Sequence, residues 1–248
     1  MGNVIRRPIL AAAALTLVIA PAALLAETAG DGACGSCHPD RHREWARSAH
    51  ARADAPGTGA VGCSSCHTPH TGDRRPETAL DPARACDGCH PQRAVLAGKG
   101  ARGVPETRSM HSAVACGACH MTGGGHGMNV LRPDDPDLPD AALDSCTACH
   151  KDNNRDTRAA QVRDYVSWYH DAMDPLEADL DAVGEAVKTR PEIFGPALLE
   201  KLDRVRANLS ILVRDGSEGI HNIDFALEIM ALAERDLAEI KKAAQGAP

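Results

Sequence analysis

The chain has 248 residues, a formal net charge of −7, and only two Trp, two Tyr and two Phe. The acidic balance argues against a nucleic-acid-binding protein. So few large apolar side chains cannot fill an ordinary core of this length, and some other apolar bulk has to do so.

In chain order, Arg6 and Arg7 lead into an almost wholly apolar run from Pro8 to Ala26. Residues 1–26 read as a secretory signal peptide; the alternative is a retained N-terminal anchor, since about 19 apolar residues just span a bilayer. Pro21 and the abundance of alanine favour the signal. Export is expected in both cases, and membrane attachment only if the segment is retained.

Residues 27–154 are rich in Gly, Pro, Ser and Asp and show no sustained helical period, so short helical turns joined by loops are expected. All ten cysteines lie here, in five pentads: Cys34-Gly-Ser-Cys37-His38, Cys63-Ser-Ser-Cys66-His67, Cys86-Asp-Gly-Cys89-His90, Cys116-Gly-Ala-Cys119-His120 and Cys146-Thr-Ala-Cys149-His150. This is the attachment signature of c-type haem: two thiols add across the porphyrin vinyls and the next imidazole reaches the iron. Structural zinc, a redox dithiol or a disulfide framework also uses paired cysteines, but none needs histidine directly after the second. Zinc half-sites also close in twos, and five is odd. The expected cofactors are five covalently bound haem c groups, each with its iron.

The pentads begin 29, 23, 30 and 30 residues apart. So little chain cannot wrap each haem separately, so the five haems are expected to stack on one another and supply the missing apolar bulk. Haem attachment takes place outside the cytoplasmic membrane, which makes the periplasm the expected location. Between the fourth and fifth pentads, Leu131–Pro139 holds three prolines and reads as a linker.

Residues 155–244 read as an antiparallel helical region that packs on the haem region or on a second subunit. Val162, Val166, Tyr169 and Met173 recur at helical spacing. Asp174-Pro175 reads as the start of a new helix, with Leu176, Leu180, Val183 and Val187 as its stripe and Pro191 after its end. Leu198, Leu202, Val205, Leu209 and Leu212 mark a further helix closed by Gly216; Ile220, Ile223, Leu227, Met230, Leu237 and Ile240 mark the last. The expected fold is therefore mainly α, with little regular structure around the haems and no sheet of note.

Five irons carry His38, His67, His90, His120 and His150 on one side, and seven other histidines compete for the opposite side. His50 and His111 sit in matching contexts, Arg47-Ser-Ala-His50 and Arg108-Ser-Met-His111. His70 closes Cys66-His67-Thr-Pro-His70, His126 stands among glycines, and His221 opens the last helix. These five are the expected distal ligands, with His42 and His170 in reserve and Met110 and Met121 as possible thioether donors.

On these motifs, the stretch from Cys34 to His150 resembles the periplasmic pentahaem electron donors of nitrite-reducing bacteria and the related decahaem donors. The helical region, with Ser217-Glu218-Gly219-Ile220-His221-Asn222 after two long helices, resembles the C-terminal part of ammonia-forming cytochrome c nitrite reductase. The latter resemblance implies His221 on the haem of Cys116 and Cys119, and His111 on that of Cys146 and Cys149. It further implies His126 on the haem of Cys63 and Cys66, and His50 on that of Cys86 and Cys89. His70 or His42 is left for the haem of Cys34 and Cys37. It also implies a dimer interface on the long helices. The family's usual Cys-x-x-Cys-Lys catalytic site is missing, as is its tyrosine after the third motif, where Pro91-Gln92-Arg93 follows His90.

Two readings of the activity follow. One is an electron relay without a catalytic residue, all irons bis-histidine, passing electrons from a quinol-oxidising donor to a terminal reductase or extracellular acceptor. The other is an oxidoreductase of small nitrogen or sulfur compounds with one open haem. The missing Cys-x-x-Cys-Lys favours the relay, partnered by redox proteins through small charged interfaces.

Overall fold

The computed structural model describes residues 31–52, 61–67, 85–151 and 154–246; the N-terminal segment 1–26 and His70 lie outside these. The fold is mainly helical, with no strand among the described residues. No helix there is long and apolar enough to cross a membrane.

The cysteine-rich part is built of short turns: α1 (Asp31–Cys37), α2 (Pro39–Ala46), α3 (Gln92–Leu96) and α4 (Cys116–His120). Pro39 opens α2 where no amide is needed. Gly98, at φ +66°, turns the chain after α3; a β-carbon there would stand 2.1 Å from Thr107 O. The proline-rich stretch 131–139 is pinned rather than loose. Arg155 donates to the carbonyls of Pro133 (3.0 Å), Leu138 (2.9 Å) and Pro139 (2.9 Å), while Arg132 clamps Asp134 through two bonds of 2.9 Å.

Three long helices follow: α5 (Arg155–Thr189), α6 (Pro196–Asp215) and α7 (Ile223–Gly246). Asn154 caps α5 by accepting the Thr157 amide at 2.9 Å. Contrary to the expected break at Asp174-Pro175, α5 runs unbroken for 35 residues with Pro175 inside it. Pro175 and Asp171 are both exposed, so water can take the Asp171 carbonyl that lacks its amide partner. On the opposite face, Met173 and Leu176 stay buried on either side of the proline, and each such burial contributes roughly 1.5–3 kcal/mol. Tertiary packing thus outweighs the local cost. α6 ends at Gly216, whose φ of +65° reverses the chain.

α7 packs on both α5 and α6. Its inward face is Phe225, Ile229, Met230, Ala233, Leu237 and Ile240, against Leu202, Val205, Leu209 and Leu212 of α6. Ile220 and Leu227, assigned to this stripe from the sequence, point outward at 38% and 37% exposure. The helix begins at Ile223, three residues later than the stripe implied, because the preceding loop is held elsewhere. Arg204 of α6 grips the buried Asp236 of α7 through bonds of 2.8 and 2.7 Å.

Two buried asparagines fasten this bundle to the cysteine-rich part. Asn222 donates to Val95 O (3.0 Å) and Thr107 O (2.6 Å) while accepting the Phe225 amide (3.2 Å). Asn208 pairs with both backbone groups of Arg102, at 2.8 and 2.9 Å. Replacing Pro175 with Ala should restore the missing helical bond, with about 3 kcal/mol gained in the helix and about 1 kcal/mol returned through the unfolded chain. A net stabilisation of about 2 kcal/mol is expected, read as a higher denaturant midpoint by circular dichroism.

Candidate haem sites

Each Cys-x-x-Cys-His pentad is a single helical turn. The histidine amide donates to the carbonyl of the first cysteine at 2.9 Å in the pentads ending at His38, His67, His90 and His150, and α4 is itself the fourth pentad. Residues i, i+3 and i+4 share a face of a helical turn, so both thiols and the imidazole are presented together. All ten cysteines are free of disulfides. Burial raises the Cys66 and Cys119 thiols, and lifts Cys146 to about 11.

Opposite four of the five motif histidines stands a second imidazole. The ring centres are 5.9 Å apart for His50 and His90, 6.0 Å for His67 and His126, 5.9 Å for His111 and His150, and 6.2 Å for His120 and His221. A metal–imidazole bond of about 2.0 Å, with about 1.15 Å more to the ring centre, sets two rings on opposite sides of one ion about 6.3 Å apart. The spacing therefore suits an iron held between two imidazoles with a flat macrocycle in the gap. Among the described residues no cluster of three or more His, Cys, Asp or Glu converges as the ligands of a bare ion would.

Protonation agrees with this geometry. Nδ1 of His120 donates to Met128 O (3.3 Å), Nδ1 of His126 to Gly124 O (2.9 Å) and Nδ1 of His221 to Asp215 Oδ1 (2.8 Å), which leaves Nε2 of each ring for a metal. Burial, and then the facing imidazole, hold His50, His67 and His111 below the ordinary histidine value. The neutral ring is the form that ligates.

Distant segments deliver the second rings. His50 lies on a 3-10 turn tied by the Val61 amide to His50 O (2.8 Å), and Val61 O in turn accepts the Trp45 indole N–H (2.9 Å). His111 follows Ser109, whose amide donates to Leu96 O (2.9 Å) and whose hydroxyl accepts the His111 amide (3.1 Å). His126 leaves a glycine-rich turn, its amide held by Glu44 of α2 at 2.9 Å. His221 is carried by the α6–α7 loop. These are the four pairs that the nitrite-reductase resemblance implies.

The other candidates fall elsewhere. His42 lies against the backbone of Gly35 and 5.3 Å from the Trp45 ring. His170 binds Glu218 (3.2 Å) on the α6–α7 loop. Met110 is 96% exposed, and Met121 folds back over Gly117 of its own turn. His70, the alternative to His42 for the haem of Cys34 and Cys37, lies outside the described residues.

Successive motifs also touch. His67 feels the charge of His38, and Cys66 that of Cys89. Cys86, pushed up to about 11 first by burial, hydrogen-bonds Cys116, while Cys149 raises Cys119 and Cys119 in turn raises Cys146. Arg93 bridges the third and fourth motifs, reaching Asp87 (3.2 Å), the carbonyls of Ser112 (3.2 Å) and Val114 (3.1 Å), and Cys116 Sγ (3.6 Å). The sequence reading missed three supporting residues: Arg93, Asp144 and Asp215. Only Asp144 left a signal, as an acidic residue two positions before a turn-forming pentad.

Comparison with known proteins agrees in part. Residues 55–95 match the family model for the doubled CXXCH motif. No curated protein matches the chain. Among solved structures, the outer cell wall cytochrome OcwA superposes with a TM-score of 0.60 at 24% identity, over 77% of this chain. The chain spans 44% of that protein's length. Motif and fold together define a multihaem c-type cytochrome with covalently attached haem.

Asp144 is 1% exposed and caps the fifth motif, accepting the amides of Cys146 (2.9 Å) and Thr147 (2.8 Å) and the Thr147 hydroxyl. Burial alone would raise its carboxyl, but these hydrogen bonds outweigh it and hold it below the ordinary 3.8. A lowered carboxyl stabilises the fold fully above its unfolded value and less as pH falls through the native one. Asp144→Ala should cost about 1–3 kcal/mol at neutral pH. In denaturant titrations the gap between variant and parent should close below pH 3.8.

Proposed function

We propose that the chain is an exported pentahaem relay in which every iron is held between two imidazoles and electrons pass from motif to motif in chain order. The single observation behind this is the facing of four histidine pairs at 5.9–6.2 Å, one to each of motifs two to five. Haem supplies a reversible one-electron couple when bound. Two imidazoles leave no coordination position for substrate, so such a site carries electrons and does no bond chemistry. Hydrogen bonds at Nδ1 hold His120, His126 and His221 in one tautomer, and burial holds His50, His67 and His111 below the ordinary histidine value.

Close approach of neighbouring motifs supports a continuous path: Arg93 reaches Asp87 of the third motif (3.2 Å) and Cys116 Sγ of the fourth (3.6 Å), and Ser145, next to the fifth, donates to Cys119 O of the fourth at 2.8 Å. We assign His70 as the second ligand at the first motif, since His42 is engaged against Gly35 and Trp45. The partners in this reading are redox proteins on the outer side of the cytoplasmic membrane.

Intact mass of the haem-loaded protein should give five haems, and electron paramagnetic resonance of the oxidised form should show only low-spin iron. A high-spin haem that shifts with nitrite or hydroxylamine would replace the relay with an enzyme. Substituting His50, His111, His126 or His221 with Ala should convert one haem at a time to high spin, leaving the other four unchanged.

A further inference from the structure

The α6–α7 loop that brings His221 to His120 also brings a buried carboxylate. Asp215, the last residue of α6, has a side chain only 4% exposed, and its Oδ1 accepts His221 Nδ1–H at 2.8 Å. Its Oδ2 accepts the Ser217 hydroxyl, and Ser217 Oγ accepts the His221 amide at 3.1 Å. Among the described residues no lysine or arginine forms an ion pair with Asp215; its ion-pair partner is His221 itself.

None of the other described pairs has this arrangement. His126, and His120 within the same pair as His221, give their Nδ1 protons to neutral backbone carbonyls. Glu44 comes within 4.0 Å of His126 Nδ1, but it is 41% exposed and paired with Arg41, and that nitrogen already bonds Gly124 O at 2.9 Å.

We propose that Asp215 is a positioning residue that gives the haem of Cys116 and Cys119 the lowest potential of the four described sites. The proposal rests on the reading of His221 as that haem's second ligand. A carboxylate on Nδ1 fixes the tautomer, makes Nε2 a stronger donor, and places a fixed negative charge beside the iron. All three favour the ferric over the ferrous state, because the buried anion is better compensated by the more positive iron. The penultimate motif of the series then holds its electron least tightly. Transfer through it is uphill on arrival and downhill on departure.

The test is a spectroelectrochemical titration of the full, haem-loaded chain, with electron paramagnetic resonance of the same samples. Asp215→Asn keeps an acceptor for Nδ1–H but removes the charge. One midpoint should rise by at least tenfold in the reduced-to-oxidised ratio, 59 mV for a one-electron couple, while the others and the low-spin signals stay put. Asp215→Glu should restore most of the shift. Ser217→Ala strips the competing donor from Oδ2 and should move the same midpoint down. Unchanged midpoints in a fully loaded Asp215→Asn protein overturn the proposal; should that variant fail to load haem, an unmoved midpoint in Ser217→Ala does so. The His221→Ala spectrum separates the two claims. If it stays wholly low-spin, the ligand reading fails and the proposal with it. If one haem turns high-spin while Asp215→Asn moves nothing, the role of Asp215 alone is lost.

Discussion

The interaction on which the rest of the structure depends is the facing of two imidazoles across a gap of about 6 Å, wide enough for a metal in a flat ring. One ring of each pair is local to its cysteines, on a helical turn that forms from five consecutive residues. The other comes from far along the chain: His50 for His90, His111 for His150, His126 for His67 and His221 for His120. Every loop between motifs therefore has to end within an ångström or so of a set position. This explains why segments without regular structure are so heavily tied, by Arg155 across the proline-rich stretch, by Arg93 between two motifs, and by Glu44 at the His126 amide.

The helical bundle serves that constraint from outside. Its own stability comes from an ordinary apolar interface of α7 with α5 and α6, concentrated in Phe225, Ile229, Leu237 and Leu202. Asn208 and Asn222 then satisfy backbone groups of residues 95–107, so the segment leading to His111 is held by the bundle. The loop after α6 returns to the fourth motif with His221. One rigid body thus positions the second imidazole of the fourth site directly and that of the fifth through residues 95–109.

Charge is used locally rather than as a broad field. Arg93 and Arg102 are engaged with Asp87 and with Asp203 and protein carbonyls. Asp144 and Asp215 are buried where a motif or a second imidazole needs an acceptor. A buried carboxylate is costly unless its hydrogen bonds are satisfied. Each of these two has its partners in place beside a Cys-x-x-Cys-His turn or the imidazole that faces one.

The chemistry was legible in the sequence because its signals are local. The pentads need only five residues to form their turn, and helical periodicity marked four stripes in the bundle, two of which join in α5. Pro175 misled because a local breaker was judged without the packing of Met173 and Leu176 that carries the helix through it. Leu227 misled because an apolar residue at nearly helical spacing does not say which face is inward. The resemblance to a known family, rather than any pattern in the chain, suggested which distal histidine meets which motif. Only the tertiary structure decided that His50, His111, His126 and His221 stand opposite their motif rings, that Asp215 lies on His221, and that Arg93 joins two motifs. Those contacts join residues far apart in the chain and depend on where the loops close, which no short-range periodicity encodes.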